Sequence, residues 1–161
     1  MKIKSIYLFL LFTTLATAQF SWSEKKYTAV NISTDPVALI TDNVFVIAAE
    51  LERVETGFYF KAGFEYASLE GDYKFIYNSM GINLKWGYFE NIRYYAGFKS
   101  GFVFRGGEYV NFGPEAGMNF ELTNNLLIGI RTDYIYRGDW LYWGGEPGWR
   151  LNGYGVIVFK L

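Results

Sequence analysis

Ten charged residues fall at positions that one side of an extended chain could gather: Glu50, Lys61, Glu65, Lys85, Arg93, Lys99, Glu115, Glu121, Arg131 and Asp133. Carboxylates so collected could do general acid and base work, but the 161-residue chain has no histidine to act as base or to orient a nucleophile. It has no cysteine either, so thiolate chemistry, thiolate metal sites and disulfides are excluded. Both signs of charge are interleaved, and inside a protein such charges must pair. The first expectation is therefore a salt-bridged structural network, and the second a narrow pathway for water, ions or small solutes. No catalytic residue, metal or cofactor is expected.

A second cluster lies between Arg137 and Arg150, where Trp140, Tyr142, Trp143 and Trp149 crowd into one stretch. Indole rings stack on sugar faces and guanidinium groups grip phosphate, so Arg137, Trp140, Tyr142, Trp143, Trp149 and Arg150 are candidates for surface contact with a sugar or lipid headgroup. The same aromatics could instead pack on themselves or ring a membrane interface. Arg137-Gly138-Asp139 is too short a tripeptide to carry meaning.

The elements that must hold these residues repeat with period two, the mark of strands with unlike faces. Phe58, Phe60, Ala62, Phe64 and Tyr66 oppose Tyr59, Lys61, Gly63, Glu65 and Ala67. Similar runs begin near Phe45, Met80, Ile92, Val110, Leu126 and Leu151. One face in each run is apolar and uncharged, with Ser100, Thr132 and Pro114 as its exceptions. A weaker run from Lys26 to Ser33 is expected to pair with the last strand and close a cylinder. Asp35-Pro36 is a helix N-cap and first-turn signal, so a short helix could start there.

The glycines indicate which face is inside. Gly63, Gly81, Gly97, Gly117 and Gly129 all lie on the charged face, where the crowded interior of a small barrel needs small residues and a solvated surface does not. Short links are expected around Glu52–Gly57, Phe89–Asn91 and Thr123–Asn125. Longer loops are expected at Thr34–Asn43, Leu69–Ser79 and Gly138–Trp149, with a tight Gly106-Gly107 turn between. Short turns on one side and long loops on the other suit a transmembrane barrel. The fold expected is all-β: a closed antiparallel up-and-down transmembrane β-barrel of about eight strands. A soluble periplasmic ligand-binding barrel, apolar inside, is the inverse alternative.

The ends bear on location. Lys2 and Lys4, an apolar run to Leu15 and Ala16-Thr17-Ala18 read as a secretory signal over residues 1–18, leaving 19–161 as the barrel domain. Cleavage there removes two lysines, so 13 basic residues face 16 acidic ones, and a nucleic-acid partner is not expected.

In its alternating strands over residues 26–161 and its ending Gly155-Val156-Ile157-Val158-Phe159-Lys160-Leu161, the chain resembles the small outer-membrane barrels typified by the OmpA transmembrane domain, OmpX and OmpW. It departs from them in ending on Leu161 where Phe is usual. The resemblance implies location in the cell outer membrane among lipid and lipopolysaccharide, and recognition of the last strand by the outer-membrane assembly machinery. A monomer is favoured. Enzymes among small outer-membrane barrels (lipid A deacylases, palmitoyltransferases, phospholipases and omptin proteases) use a histidine that this chain lacks. The role expected is non-enzymatic, in envelope structure or surface contact through the loops.

Overall fold

The structure is a computed structural model that describes residues 20–69, 72–86, 91–139 and 148–161. Eight strands close into an antiparallel barrel: β2 (Tyr27–Thr34), β3 (Val46–Glu55), β4 (Phe58–Ala67), β5 (Tyr73–Trp86), β6 (Ile92–Phe104), β7 (Glu108–Thr123), β8 (Leu126–Arg137) and β9 (Gly148–Lys160). Each pairs with its sequence neighbour, and β2 closes the cylinder on β9 with Asn31 opposite Val158 and Ile32 opposite Ile157. The weakest strand of the sequence pattern is thus the one that seals the barrel.

Alternation decides the register. Shifting any strand by one residue would turn its charges onto the apolar wall, so each pairing is fixed by both faces at once. The outward face carries Phe58, Phe60, Phe64, Met80, Phe98, Phe102, Phe120 and Ile130, all exposed, while Lys61, Glu65, Lys99, Glu115 and Arg131 are buried inside. The inverse arrangement, with charges outside and an apolar cavity within, is not the one that this chain builds. On β7 the outward run from Val110 to Leu122 covers about 30 Å at ~3.4 Å per residue and a tilt of roughly 40°, close to a bilayer's hydrocarbon thickness.

The inward glycines stand beside tyrosines. Gly63 is opposite Tyr77, Gly81 opposite Tyr59 and Gly117 opposite Tyr95. A side chain at Gly63 would meet the Tyr77 ring at 2.6 Å, and one at Gly117 would overlap the Tyr95 ring. These rings lie across the space that the glycines leave, a cross-strand pairing that fills the lumen.

Three expected link boundaries are corrected, and one of them is Gly148–Trp149, read as the end of a loop, which begins β9 opposite Arg137 and Tyr136. Tyr73–Ser79, read as part of a loop, belongs to β5, and Glu52–Glu55, read as part of a turn, extends β3. In β5 the aromatics Tyr73, Phe75 and Tyr77 point inward while Lys74 and Asn78 point outward, which inverts the polarity that marked the other runs. Packing against interior glycines and cations outweighs that local pattern. The turn at Thr56–Gly57 has Gly57 at φ 76°, a backbone conformation that favours glycine. The link at Phe89–Asn91 lies outside the described residues except for Asn91.

Among the described residues, two elements lie beyond the cylinder. At the loop end, α1 (Pro36–Asp42) starts at Asp35, whose carboxylate accepts from the Ala38 N–H at 2.9 Å. The short-helix signal and the preceding strand therefore both form, one after the other. At the turn end, β1 (Phe20–Trp22), which the alternation does not predict, adds to β5 with Ser21 opposite Lys85. From there Ser23–Lys26 runs across the mouth to β2.

Candidate functional site: the charged lumen and the two rims

Eight of the ten charges singled out by the sequence are buried in the lumen, where β-strand parity alone brings them together: Glu50, Lys61, Glu65, Arg93, Lys99, Glu115, Arg131 and Asp133. They form layers along the barrel. Nearest the turn end, Arg93 donates to Glu52 at 2.6 Å, to the Asn83 side-chain oxygen at 2.7 Å and to the Tyr27 hydroxyl at 3.0 Å. At mid-barrel Glu115 accepts from Lys61 at 3.0 Å, from the Tyr59 hydroxyl at 2.7 Å and from the Ser79 hydroxyl. Beside it Arg131 pairs with Glu50, which also accepts from Tyr77 at 2.6 Å. Towards the loop end Lys99 joins Asp133 at 3.1 Å and Glu65 at 3.3 Å, and Tyr154 donates to Glu65 at 3.0 Å.

Tyrosine rings separate and cover these layers. Lys61 sits 4.2 Å from the Tyr95 ring centre, Lys99 4.0 Å from that of Tyr77, and the Arg131 guanidinium 4.4 Å from that of Tyr154. A space of about 20 Å³ remains near Asp35, Tyr73 and Tyr154, enough for a water molecule and little more. Unpartnered atoms are few among the described residues: one oxygen each of Asn31, Glu115 and Asn119, and Nε of Arg131. This is a filled interior whose charges neutralise one another.

The other two predicted charges lie at the turn-end mouth. Glu121 bridges Lys25 and Lys160, and so fastens the crossing segment to the wall. Lys85 lines a cavity of about 280 Å³ with Ser23, Glu24, Lys25, Ile92 and Arg93. Backbone bonds hold the same segment, since Ser23 donates to the Asn83 carbonyl at 3.2 Å and accepts from the Gly57 N–H at 2.8 Å.

The predicted surface-contact residues separate. Trp140, Tyr142 and Trp143 lie outside the described residues. Arg137 is corrected: β8 parity turns it inward, where it grips Asp139 at 2.7 Å, and Arg105 reaches the same carboxylate at 3.2 Å. Burial disfavours ionised Asp139, but the hydrogen bonds and charge of Arg137, with Arg105 and Asn111, outweigh it and hold its carboxyl below its usual range. Arg150 is occupied by Asp42 of α1 at 2.6 Å. Trp149 belongs to an outward aromatic group, stacked on Tyr134 with centroids 5.0 Å apart and edge-on to Phe112 and Tyr136. That is the interfacial-girdle arrangement.

Sequence reading missed Glu52, Asn31, Asn83, Asp139 and the N-terminal crossing. Glu52 shares the parity of Glu50, so continuing the β3 alternation two residues further would have found it. Asp139 carried no such signal, because it follows the last strand residue.

No protein-family model and no curated protein sequence matches the chain. Solved structures with the same fold do. A de novo designed transmembrane β-barrel is similar over 88% of this chain and 100% of its own, with TM-score 0.62 and 12% identity. The Yersinia pestis outer membrane protein Ail, determined in a phospholipid bilayer nanodisc, is similar over 85% of this chain and 100% of its own, with TM-score 0.55 and 10% identity. Neisserial surface protein A is similar over 88% of this chain and 99% of its own, with TM-score 0.53 and 12% identity. At such identities the likeness is one of fold: the closed eight-strand barrel of small outer-membrane proteins.

Proposed function

We propose that this chain is a non-enzymatic outer-membrane protein whose barrel anchors its loop end for an envelope-structural or surface-contact role. The observation that carries the reading is the division of the molecule: an apolar wall outside, and a lumen filled by paired charges and tyrosines inside. A filled lumen leaves the rims as the places where the protein can meet other molecules. In this account residues 1–18 direct export and are removed, and β9 is the strand that the outer-membrane assembly machinery receives. Contact with lipopolysaccharide or another surface sugar falls to Trp140, Tyr142, Trp143 and the neighbouring Trp149.

The test replaces residues 140–147 with a Gly/Ser linker. Assembly, read as altered gel migration on boiling, should survive, while an envelope-permeability or adhesion phenotype changes. An unchanged phenotype would count against the contact role. Conductance above the lipid background in planar bilayers would favour the pore instead.

A further inference from the structure

Helix α1 presents a rigid apolar face that the barrel leaves uncovered. Its ends are fixed: Asp35 caps the start, Asn43 adopts a left-handed conformation at the end, and Asp42 is tied to Arg150 of β9. Ala38 is buried over the loop-end mouth. The other side of the helix is Val37, Leu39 and Ile40, exposed by 53%, 46% and 82%. A surface helix normally turns polar residues outward, so this one is reversed.

Position explains the reversal. Val37 leans over Gly153, where an added Cβ would lie 3.5 Å from Val37 Cγ2. Gly153 is on the outward face of β9, two residues from the exposed Leu151, and the exposed Phe45 and Ile47 follow α1 at the start of β3. The apolar face of the helix is thus continuous with the apolar wall of the barrel and lies at its upper edge.

We propose that α1 is an interfacial anchor, with Val37, Leu39 and Ile40 seated among lipid acyl chains at the boundary of the leaflet on the loop side. This rests on the membrane reading above. The partner is the lipid surface itself: an uncharged apolar ridge beside a lipid-facing wall matches acyl chains, and the Asp42–Arg150 pair sits at the helix end where headgroups would be. Anchoring there would hold the β2–β3 connection flat on the bilayer and leave the other loops to project.

The absence of cysteine permits single-site labelling. Ile40→Cys, Ile130→Cys on the mid-wall and Glu108→Cys on the rim, each carrying an environment-sensitive fluorophore, would be reconstituted in phosphatidylcholine vesicles with and without lipids bearing acyl-chain quenchers at shallow and deep positions. Altered migration on boiling would certify each as folded. The label at 130 should be quenched, that at 108 should not, and that at 40 should show blue-shifted emission and about twofold or greater quenching, as expected of a residue in the interface. Position 40 behaving like 108 while 130 is quenched would overturn the anchor and spare the barrel. Failure at 130 as well would overturn the membrane reading. A blue shift at 40 that follows protein density and not the quencher would mean a second copy covers the helix, and would also overturn the proposal.

Discussion

Replacing Lys61 with methionine removes one charge from the mid-barrel layer while keeping most of the side-chain volume. In the intact protein the Lys61 and Glu115 side chains are 1% and 0% exposed, and one Glu115 oxygen takes all three donors, Lys61, Tyr59 and Ser79. Without Lys61 a buried carboxylate keeps only two neutral hydroxyls, and stranding a buried charge in this way costs about 3–5 kcal/mol. The cation–π contact with Tyr95 is lost as well. Lys61→Met combined with Glu115→Gln removes the stranded charge, so the double variant should recover most of the loss, with a coupling of ~2 kcal/mol or more. Equilibrium urea unfolding in phosphatidylcholine vesicles, followed by tryptophan fluorescence, reads all four corners of the cycle. In a water-filled channel the pair would be worth only about 1 kcal/mol. A single-variant loss of that size or less, with no recovery in the double variant, would refute the filled lumen.

Three further outcomes follow from other layers. Gly97→Arg should abolish assembly, because any side chain there meets the Tyr59 hydroxyl and the Met80 carbonyl; a normally heat-modifiable variant would mean that inside and outside are reversed. Asp139 should titrate below the ordinary carboxylate range, so its contribution to holding Arg105 and Arg137 is complete above about pH 4 and is lost as pH falls through the depressed value. Carboxyl-carbon NMR reads this directly, and an Asp139 midpoint at or above 4 would contradict it. Lys25→Ala should change global stability by less than about 1 kcal/mol, since the Lys25–Glu121 pair is partly exposed. It should nevertheless speed hydrogen exchange at Ser23 and Gly57, and unchanged exchange there would show that the crossing segment is not latched by this pair.

How much of this was legible in the sequence depended on whether burial and parity agreed. From Ile92 to Asp133 the charged inward positions alternate with a mostly apolar outward face, and the strands, faces and lumen charges Arg93, Lys99, Glu115, Arg131 and Asp133 were readable. Around Tyr73–Tyr77 the inward residues are aromatic, so polarity no longer distinguished the faces, although parity was intact. The strand is recognised only when Tyr77 is seen between Gly63 and Gly101, opposite it on the neighbouring strands. Salt-bridge partners were not readable either. Arg131 and Glu50 are 81 residues apart, and Lys61 and Glu115 are 54 apart. Only closure and shear of the barrel decide which inward charges share a level. The short β1 and the crossing at Ser23–Lys26 carry no alternation, being held by backbone bonds and the Glu121 bridge.

The central claim is a closed barrel with its apolar wall on lipid. Its most direct measurement is fractionation of expressing cells followed by electrophoresis of the membrane pellet with and without boiling. The closed barrel should be recovered with outer membranes and shift in migration on boiling. A protein that stays soluble without detergent and migrates identically in both lanes would contradict it.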